Sequence, residues 1–345
     1  MPLRTRTRLL AAGLAATALS GGGFEWAAGQ ETTRDTNGTN VLLLGRDTRA
    51  GLTPADKERL YAGGQGCDCS DVIMLMHLSG NGQWASVISI PRDVYAPSLG
   101  SKINAAHSRG GTKLAERTVE RFTGVDIDKV MTVKFTGFEK AINQLGGVKI
   151  CTRQPLHDTR YTGLNLTPGT HHLNGAHALG YARSRHNTTN GDITRIRRQQ
   201  RILANTAGQV LTSGDLQHPE RLRKLAATMA RSLKSANGNS TPDLVELGWK
   251  ARHLQLENIE FATPKIANLG HNIPGTGSTV TLNQQAARQL FTTMRNDKPL
   301  HTTETRDTTS ALDRDTRTVP GNALGCDGDQ RPTTTPATRT HTRTR

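Results

Sequence analysis

Apolar residues first gather from Asn40 to Leu44, a short run closed by Gly45, and again from Val72 to Leu78 and from Ala85 to Ile90. Short apolar runs bounded by turn residues predict strands, and the last two, joined by Ser79-Gly80-Asn81-Gly82, predict a hairpin. The spacing becomes helical from Leu114 to Phe122, with Gly124 as its stop, and from Phe138 to Leu145, where Gly146-Gly147 precedes a strand over Val148 to Cys151. Thr167-Pro168-Gly169 reads as a turn, Asn174 as the N-cap of a short helix through Leu179, and Asp192 as the cap of a longer helix reaching about Val210. Ile193, Ile196, Leu203, Ala207 and Val210 form the core-facing stripe of that longer helix. Leu222 to Leu233 and Leu244 to Trp249 read as helices, Leu256 to Ala262 as a strand, and Leu282 to Met294 as a closing helix. Helices and strands mixed along one chain predict a layered α/β domain over residues 38–298.

The two ends have a different character. Arg4, Arg6 and Arg8 precede an apolar run from Leu9 to Leu19 and then Ser20-Gly21-Gly22-Gly23, the layout of an export signal. The run is short of the roughly 20 residues a spanning helix needs, yet Phe24, Trp26 and the small residues between extend it to Ala28. A membrane-tethering signal anchor and a cleaved signal are both open, and either puts the body outside the cytoplasm. Residues 1–37 are thus a signal or anchor segment with a linker. From 299 to 345 the sequence is Thr- and Arg-rich, with Pro332, Pro336 and few large apolar residues, too few to bury and order. Cys67, Cys69, Cys151 and Cys326 permit two disulfides in an oxidising compartment. Cys67 and Cys69 are only two apart and would strain against each other, so one of them with Cys151 is the favoured bond. A single C-x-C is thin support for zinc.

The chain of 345 residues has a formal charge of +15, which implies an anionic partner. Residues 151–203 carry eight Arg, no Lys and only Asp158 and Asp192 as acids, a net +6, whereas residues 301–345 set seven Arg against six acids. Arg without Lys favours bidentate phosphate binding, because the guanidinium fork matches two phosphate oxygens. Four polar clusters stand at element ends, where α/β sheets place their sites. They are Gly45-Arg46-Asp47-Thr48-Arg49; Ser70-Asp71; Pro91-Arg92-Asp93 with Lys102-Ile103-Asn104-Ala105-Ala106 downstream; and Tyr181-Ala182-Arg183-Ser184-Arg185 with Gly191-Asp192-Ile193-Thr194-Arg195, Arg198 and Gln199. Singly each has a plain reading: Asp47 and Asp71 as turn or cap residues, Arg183 and Arg185 alternating along an extended edge, Arg195 and Gln199 on the wet face of a helix. His171, His172 and His177 lack carboxylates at a metal-binding spacing and are assigned no role.

Together and in this order, over about residues 40–210, the clusters resemble the LytR-CpsA-Psr family of cell-envelope proteins. Its members share strand-G-x-D-x-R, S-D-T, P-R-D, K-I-N-A-A, Y-x-R-x-R and G-D-x-x-R-x-x-R-Q. The resemblance implies a single-domain α/β/α sandwich with a central mixed β-sheet, holding a polyprenyl pyrophosphate with its tail in an apolar tunnel. It implies that Asp47 and Asp71 bind Mg²⁺, or Mn²⁺ in its place. Arg92, Arg183, Arg185, Arg195 and Gln199 match the pyrophosphate contacts, with Arg49 and Arg198 beside them. The implied activity moves a glycopolymer from the lipid carrier to peptidoglycan through a phosphodiester bond, at the extracytoplasmic face of the membrane or as a secreted protein.

The chemistry agrees with that activity. Mg²⁺ is commonly held by one or two carboxylates plus phosphate oxygens and water, and phosphoryl transfer asks a protein mainly to position groups and neutralise charge. With no Ser-His-Asp order, a sugar hydroxyl is expected to attack phosphorus directly, with Arg92, Arg183 and Arg185 stabilising the charge and Asp93 or an aspartate-bound water taking the proton. Three features depart from the family. Cys69 stands where an arginine is usual two residues before Asp71, leaving Arg46 or Arg49 to replace it; Val72 stands for threonine; and an insertion with Gly63-Gly64-Gln65-Gly66 and the C-x-C separates the first two clusters. A non-catalytic lipid-pyrophosphate-binding protein and a lipid pyrophosphate hydrolase are the alternatives. Nucleic acid is not an expected partner: the chain has an export signal, no helix-turn-helix with a basic recognition helix, and only 4% aromatic residues.

Overall fold

The first three apolar runs become β1 (Thr39–Arg46), β2 (Ser70–Leu78) and β3 (Ala85–Ser89), paired antiparallel in that order. The computed structural model describes residues 38–64, 66–185, 191–233, 240–300 and 318–326. The signal or anchor segment lies outside them, and among the described residues no helix is long and apolar enough to cross a membrane. A small ribbon of β4 (Tyr95–Ala96) and β5 (Ser101–Lys102) follows β3, and β6 (Lys129–Lys134) returns parallel to β1. β7 (Val148–Thr152), β8 (Leu156–Asp158), β9 (Leu164–Leu166) and β10 (Gly169–Leu173) form two further ribbons, β7 with β10 and β8 with β9. β11 (Ile259–Ala262) lies parallel to β3, β12 (Ile266–Ile273) and β13 (Gly277–Leu282) make a hairpin, and β14 (Val319–Pro320) pairs with β11. The main sheet therefore runs β14-β11-β3-β2-β1-β6 and is mixed.

The helices are α1 (Pro54–Arg59), α2 (Ala105–Thr123), α3 (Phe135–Gln144), α4 (Thr159–Thr162), α5 (Gly175–Arg183), α6 (Gly191–Thr212), α7 (Pro219–Leu233), α8 (Thr241–Lys250) and α9 (Gln284–Arg295). The period of two along each strand sends alternate side chains to opposite faces. Leu42, Leu44, Ile73, Leu75 and Ile88 share one core with Val119 and Phe122 of α2 and with Ala287 and Phe291 of α9. Phe122 and Phe291 meet edge to face at 6.3 Å. Met74, Leu78 and Val87 pack on the other face with Ala204 of α6, and Leu247 of α8 joins them. Helices thus cover both faces, the α/β/α sandwich expected. A third core joins α3, α5, α6 and the β7–β10 ribbons.

Capping follows the residue types. Asn174 accepts from the His177 amide at the start of α5, and Gly124 takes a left-handed conformation to end α2. Gly175 is required by close approach, since a Cβ there would lie 2.1 Å from the Glu139 carbonyl oxygen on α3. Gly175→Ala is expected to push α5 off α3 and lower stability by about 1–3 kcal/mol, measured by thermal denaturation.

Several expectations need correction. The strand assigned from Leu256 begins at Ile259, after a 3₁₀ turn, and Leu282 closes β13, with Asn283 capping α9. Asp192 lies inside the first turn of α6, where an acid complements the helix dipole; residues 186–190 lie outside the described residues. Arg183 is the last residue of helix α5, not part of an extended stretch. The disulfides are Cys67–Cys69 and Cys151–Cys326, not a bond between the C-x-C and Cys151. Cys151 sits on β7, where the returning C-terminal segment reaches it, whereas Cys67 and Cys69 lie in the loop before β2. The reading of residues 299–345 as unable to order does not hold for 318–326. Backbone pairing at a sheet edge, burial of Leu324 and the bond to Cys151 provide what its own composition lacks.

Candidate functional site

Gly45 faces Val72 across β1 and β2, and a Cβ on Gly45 would lie 2.8 Å from the Val72 side chain. A register shift between Gly45 and Arg46 then turns the chain out of the sheet, as bulges beside functional sites do. The clusters that follow are stitched through the backbone. Asp47 N donates to Cys69 O at 3.2 Å, Ser70 N to Asn104 O at 3.2 Å, and Asn104 N to Arg92 O at 3.2 Å. The Lys102-to-Ala106 motif thereby ties the Ser70-Asp71 strand end to the Pro91-Arg92-Asp93 turn.

Beside these loops opens a cavity of about 920 Å³. Its polar end is lined by Arg46, Asp47, Arg49, Asp71, Arg92, Arg183, Arg185, Arg195 and Gln199. The apolar part runs between the sheet residues Leu43, Met74 and Val133 and the helical residues Phe138, Ile142, Ile202, Leu203 and Met229, with Leu145 at the end of α3. On α6 the positions 195, 199, 202, 203 and 206 all line it, a stripe of helical period, and Leu203, packed against the core as expected, lines the cavity as well.

Eight of the ten residues selected from the sequence line this one cavity; Asp93 and Arg198 are not among its lining residues. Arg198 is buried, donates from Nη1 to Ser184 O at 2.8 Å and lies over the Tyr181 ring at 5.7 Å. It sits three residues from Arg195 yet points behind the site, bracing the turn that carries Arg183 and Arg185. Asp93 accepts from Lys102 Nζ at 2.8 Å and from Arg92 Nε at 3.3 Å. Burial alone would raise its pKa, but the Lys102 hydrogen bond and the Arg92 charge hold it below the ordinary carboxylate value. A carboxylate so held accepts a proton poorly, which argues against Asp93 as general base.

A depressed folded-state pKa means stabilisation that is fully present above the unfolded value and lost as pH falls through the folded one. The Asp93 contribution is therefore expected to fade below about pH 3.9, the unperturbed aspartate value. Comparing the melting temperatures of wild type and Asp93→Asn from pH 7 downward checks this, and the two should converge at acid pH.

Arg92 is the hub of the polar end. Its Nη1 reaches Asp71 Oδ1 at 2.7 Å, and its Nη2 lies 3.9 Å from Asp192 Oδ1. Burial would lower its pKa, but Asp71, Asp192 and Asp93 raise it above the ordinary value. Arg195, 6% exposed, sits 3.3 Å from Asp192, and Arg185 sits 4.0 Å from the same oxygen. Burial, with repulsion from Arg92, lowers the Arg195 pKa, and burial lowers that of Arg183. A guanidinium is not deprotonated in a protein, so both stay charged. Arginines crowded against one another at a partly buried surface favour an anion between them.

Two contributors were missed from the sequence. Asp192, read as a cap, gathers three arginines; its place beside arginines in the Gly191-to-Gln199 motif was the available signal. The insertion supplies the other, since Arg183 donates to Leu60 O at 2.8 Å and Tyr61 O at 3.2 Å and lies over the Phe135 ring at 4.7 Å. Helix α1, capped by Thr53 and Asp56 and docked through an Arg59–Glu139 ion pair, thus holds Arg183 in place. Nothing in the composition of that insertion indicates this role.

Asp47 is paired with Arg49 at 3.1 Å and Asp71 with Arg92 at 2.7 Å, and both carboxylates line the polar end. Among the described residues no group of three or more His, Cys, Asp and Glu is placed to hold a metal. Two carboxylates are the usual protein donation to a Mg²⁺ that completes its shell with phosphate oxygens and water, so the donor set fits that ion.

The sheet end of the sandwich thus sets aspartates and arginines over an apolar cavity. The chain belongs to the LytR_cpsA_psr family, whose model matches residues 22–296. It is 32% identical over 265 residues to the probable cell wall biosynthesis protein LcpB of Corynebacterium glutamicum, covering 76% of this chain and 62% of that protein. It spans less than two thirds of the length of the curated relatives it matches first. The structure described as TagT bound to LIIa-WTA superposes with a TM-score of 0.56 at 26% identity, covering 76% of this chain and 91% of that one. The LytR-CPS2A-psr family protein YwtF (TagT) with bound octaprenyl pyrophosphate lipid has the same fold, with a TM-score of 0.52 at 24% identity over 82% of this chain and 99% of that one.

Proposed function

We propose that this protein is a phosphotransferase that moves a glycopolymer from a polyprenyl-pyrophosphate carrier to peptidoglycan, forming a phosphodiester link on the extracytoplasmic side of the membrane, tethered or secreted. The observation that carries the reading is the single cavity with a carboxylate–arginine end continuous with an apolar end, the two-part chemistry of a lipid pyrophosphate. The relative described as a cell wall biosynthesis protein and the solved TagT complexes support it.

In this reading Arg92, Arg183, Arg185, Arg195 and Gln199 bind and orient the pyrophosphate. The arginines offset charge that spreads over its oxygens as an acceptor hydroxyl attacks the phosphorus nearer the glycan and prenyl phosphate departs. A Mg²⁺ held by Asp47 and Asp71, with Mn²⁺ as a substitute, would supply further charge neutralisation there. The apolar walls at Leu43, Met74, Ile142 and Leu203 hold the prenyl chain away from water.

The test is transfer by the full chain in detergent, given a labelled prenyl-pyrophosphate glycan, peptidoglycan oligomers and Mg²⁺, beside Asp71→Ala and Arg183→Ala. Labelled peptidoglycan that needs the metal and is lost in both variants is the expected result. Tight lipid binding without product would favour a binding protein, and phosphate release without transfer would favour a hydrolase.

A further inference from the structure

The Cys67–Cys69 bond differs from its partner disulfide in what it closes. Cys151 and Cys326 are 175 residues apart, whereas Cys67 and Cys69 are two apart, so their ring removes little entropy from the unfolded chain. What the short ring constrains is local shape. Asp68, between the two cysteines, holds a left-handed backbone with φ 54°, a region an aspartate enters at a cost. In that conformation its carboxylate receives Arg46 Nη2 at 2.6 and 2.7 Å, and Cys69 O receives the Asp47 amide at 3.2 Å. A third point of contact is Gly66, where a Cβ would lie 2.7 Å from Asp47 O. The disulfide loop thus rests directly on the Arg46-Asp47 loop and runs without a break into Ser70-Asp71. Cys67 is exposed and Cys69 half-buried.

We propose that Cys67 and Cys69 form a thiol-exchange site that takes a dithiol as its partner and controls the order of the two aspartate loops. A thiolate of the incoming dithiol attacks the exposed Cys67 Sγ; the Cys67–Cys69 bond breaks, and Cys69 leaves as a thiolate that gains a proton. The second thiol of the donor resolves the mixed disulfide and frees Cys67. Two electrons and two protons pass to the protein, and the donor ends as a disulfide. With the ring open, Asp68 relaxes to negative φ, its carboxylate leaves Arg46, and Cys69 O leaves the Asp47 amide. The effect on ligand binding rests on the proposed lipid-pyrophosphate reading; the exchange chemistry and the loop ordering do not.

The experiment titrates the full oxidised chain in detergent with a dithiol, traps thiols by alkylation and identifies them by mass spectrometry. Amide hydrogen exchange at Asp47 and binding of octaprenyl pyrophosphate are followed in parallel. Cys67 and Cys69 should be alkylated at dithiol concentrations that leave Cys151–Cys326 intact, with exchange at Asp47 rising and affinity falling about tenfold, the lower bound for loss of a supporting contact at a metal site. The Cys67→Ser/Cys69→Ser chain should show the same exchange and affinity without dithiol. The proposal is overturned if both disulfides open together, or if the reduced loop keeps its protection at Asp47. If the oxidised protein binds no octaprenyl pyrophosphate, the functional reading fails, while alkylation order and Asp47 exchange still decide the thiol site.

Discussion

Arg92→Ala is expected to lower glycopolymer transfer by about a hundredfold to a thousandfold, the usual loss when a preorganised donor to developing charge is removed. Arg92 lies within 4 Å of Asp71, Asp93 and Asp192. Removing it takes a cation from the polar end and leaves three carboxylates, 19–39% exposed, without that partner, Asp71 among them lining the cavity. In the proposed reading the pyrophosphate then meets repulsion where it met attraction. Arg92→Lys should recover only part of the loss, because one ammonium on a flexible stem cannot span Asp71 and Asp93 and still offer donors to phosphate. Calorimetric binding of a prenyl pyrophosphate, measured beside the transfer rate, separates lost affinity from lost transition-state stabilisation. Unchanged transfer in Arg92→Ala would remove Arg92 from the reaction.

The second large effect concerns stability. Cys151→Ser is expected to lower the unfolding free energy by about 2–5 kcal/mol, the range for native disulfides, and the melting temperature by roughly 5–15 °C for a domain of this size. The bond holds the segment 318–326 in place, where β14 extends the sheet at β11 and Arg201 donates to the carbonyls of Leu324, Gly325 and Cys326. Leu324 is buried in the core beneath α6. Cys326→Ser should match Cys151→Ser, and the double variant should be no worse than either, since each removes the same tie. Scanning calorimetry with limited proteolysis near residue 320 tests this. A wild-type melting temperature in both variants would mean that β14, Leu324 and Arg201 suffice without the bond.

Much of this protein was determined along the sequence alone. β1, β2 and β3 follow from short apolar runs closed by turn residues, as strands buried on both faces do, and α2, α3 and α5 follow from helical spacing and from the glycines and caps at their ends. The eight polar residues that meet in the cavity were readable through the order of their motifs and the family resemblance those motifs carry, since singly each had a plain structural reading. β6 was not, since Lys129 and Lys134 enclose a run of only four residues, and β12 and β13 were not, since an exposed hairpin has few apolar positions to alternate.

Tertiary structure decided what each polar side chain faces. Arg195 and Arg198 are near neighbours of one type on one helix, yet the rotation of α6 against the sheet turns the first into the cavity and the second onto Ser184. Asp192 reaches Arg195 within its own helix but meets Arg92 only through the approach of a distant loop, a contact no local pattern encodes. Cys151 found Cys326 across 175 residues because β14 returns to the sheet edge. Local sequence governs backbone geometry and the face each residue shares, whereas charge pairing and disulfide pairing depend on through-space distances that exist only once the layers have packed.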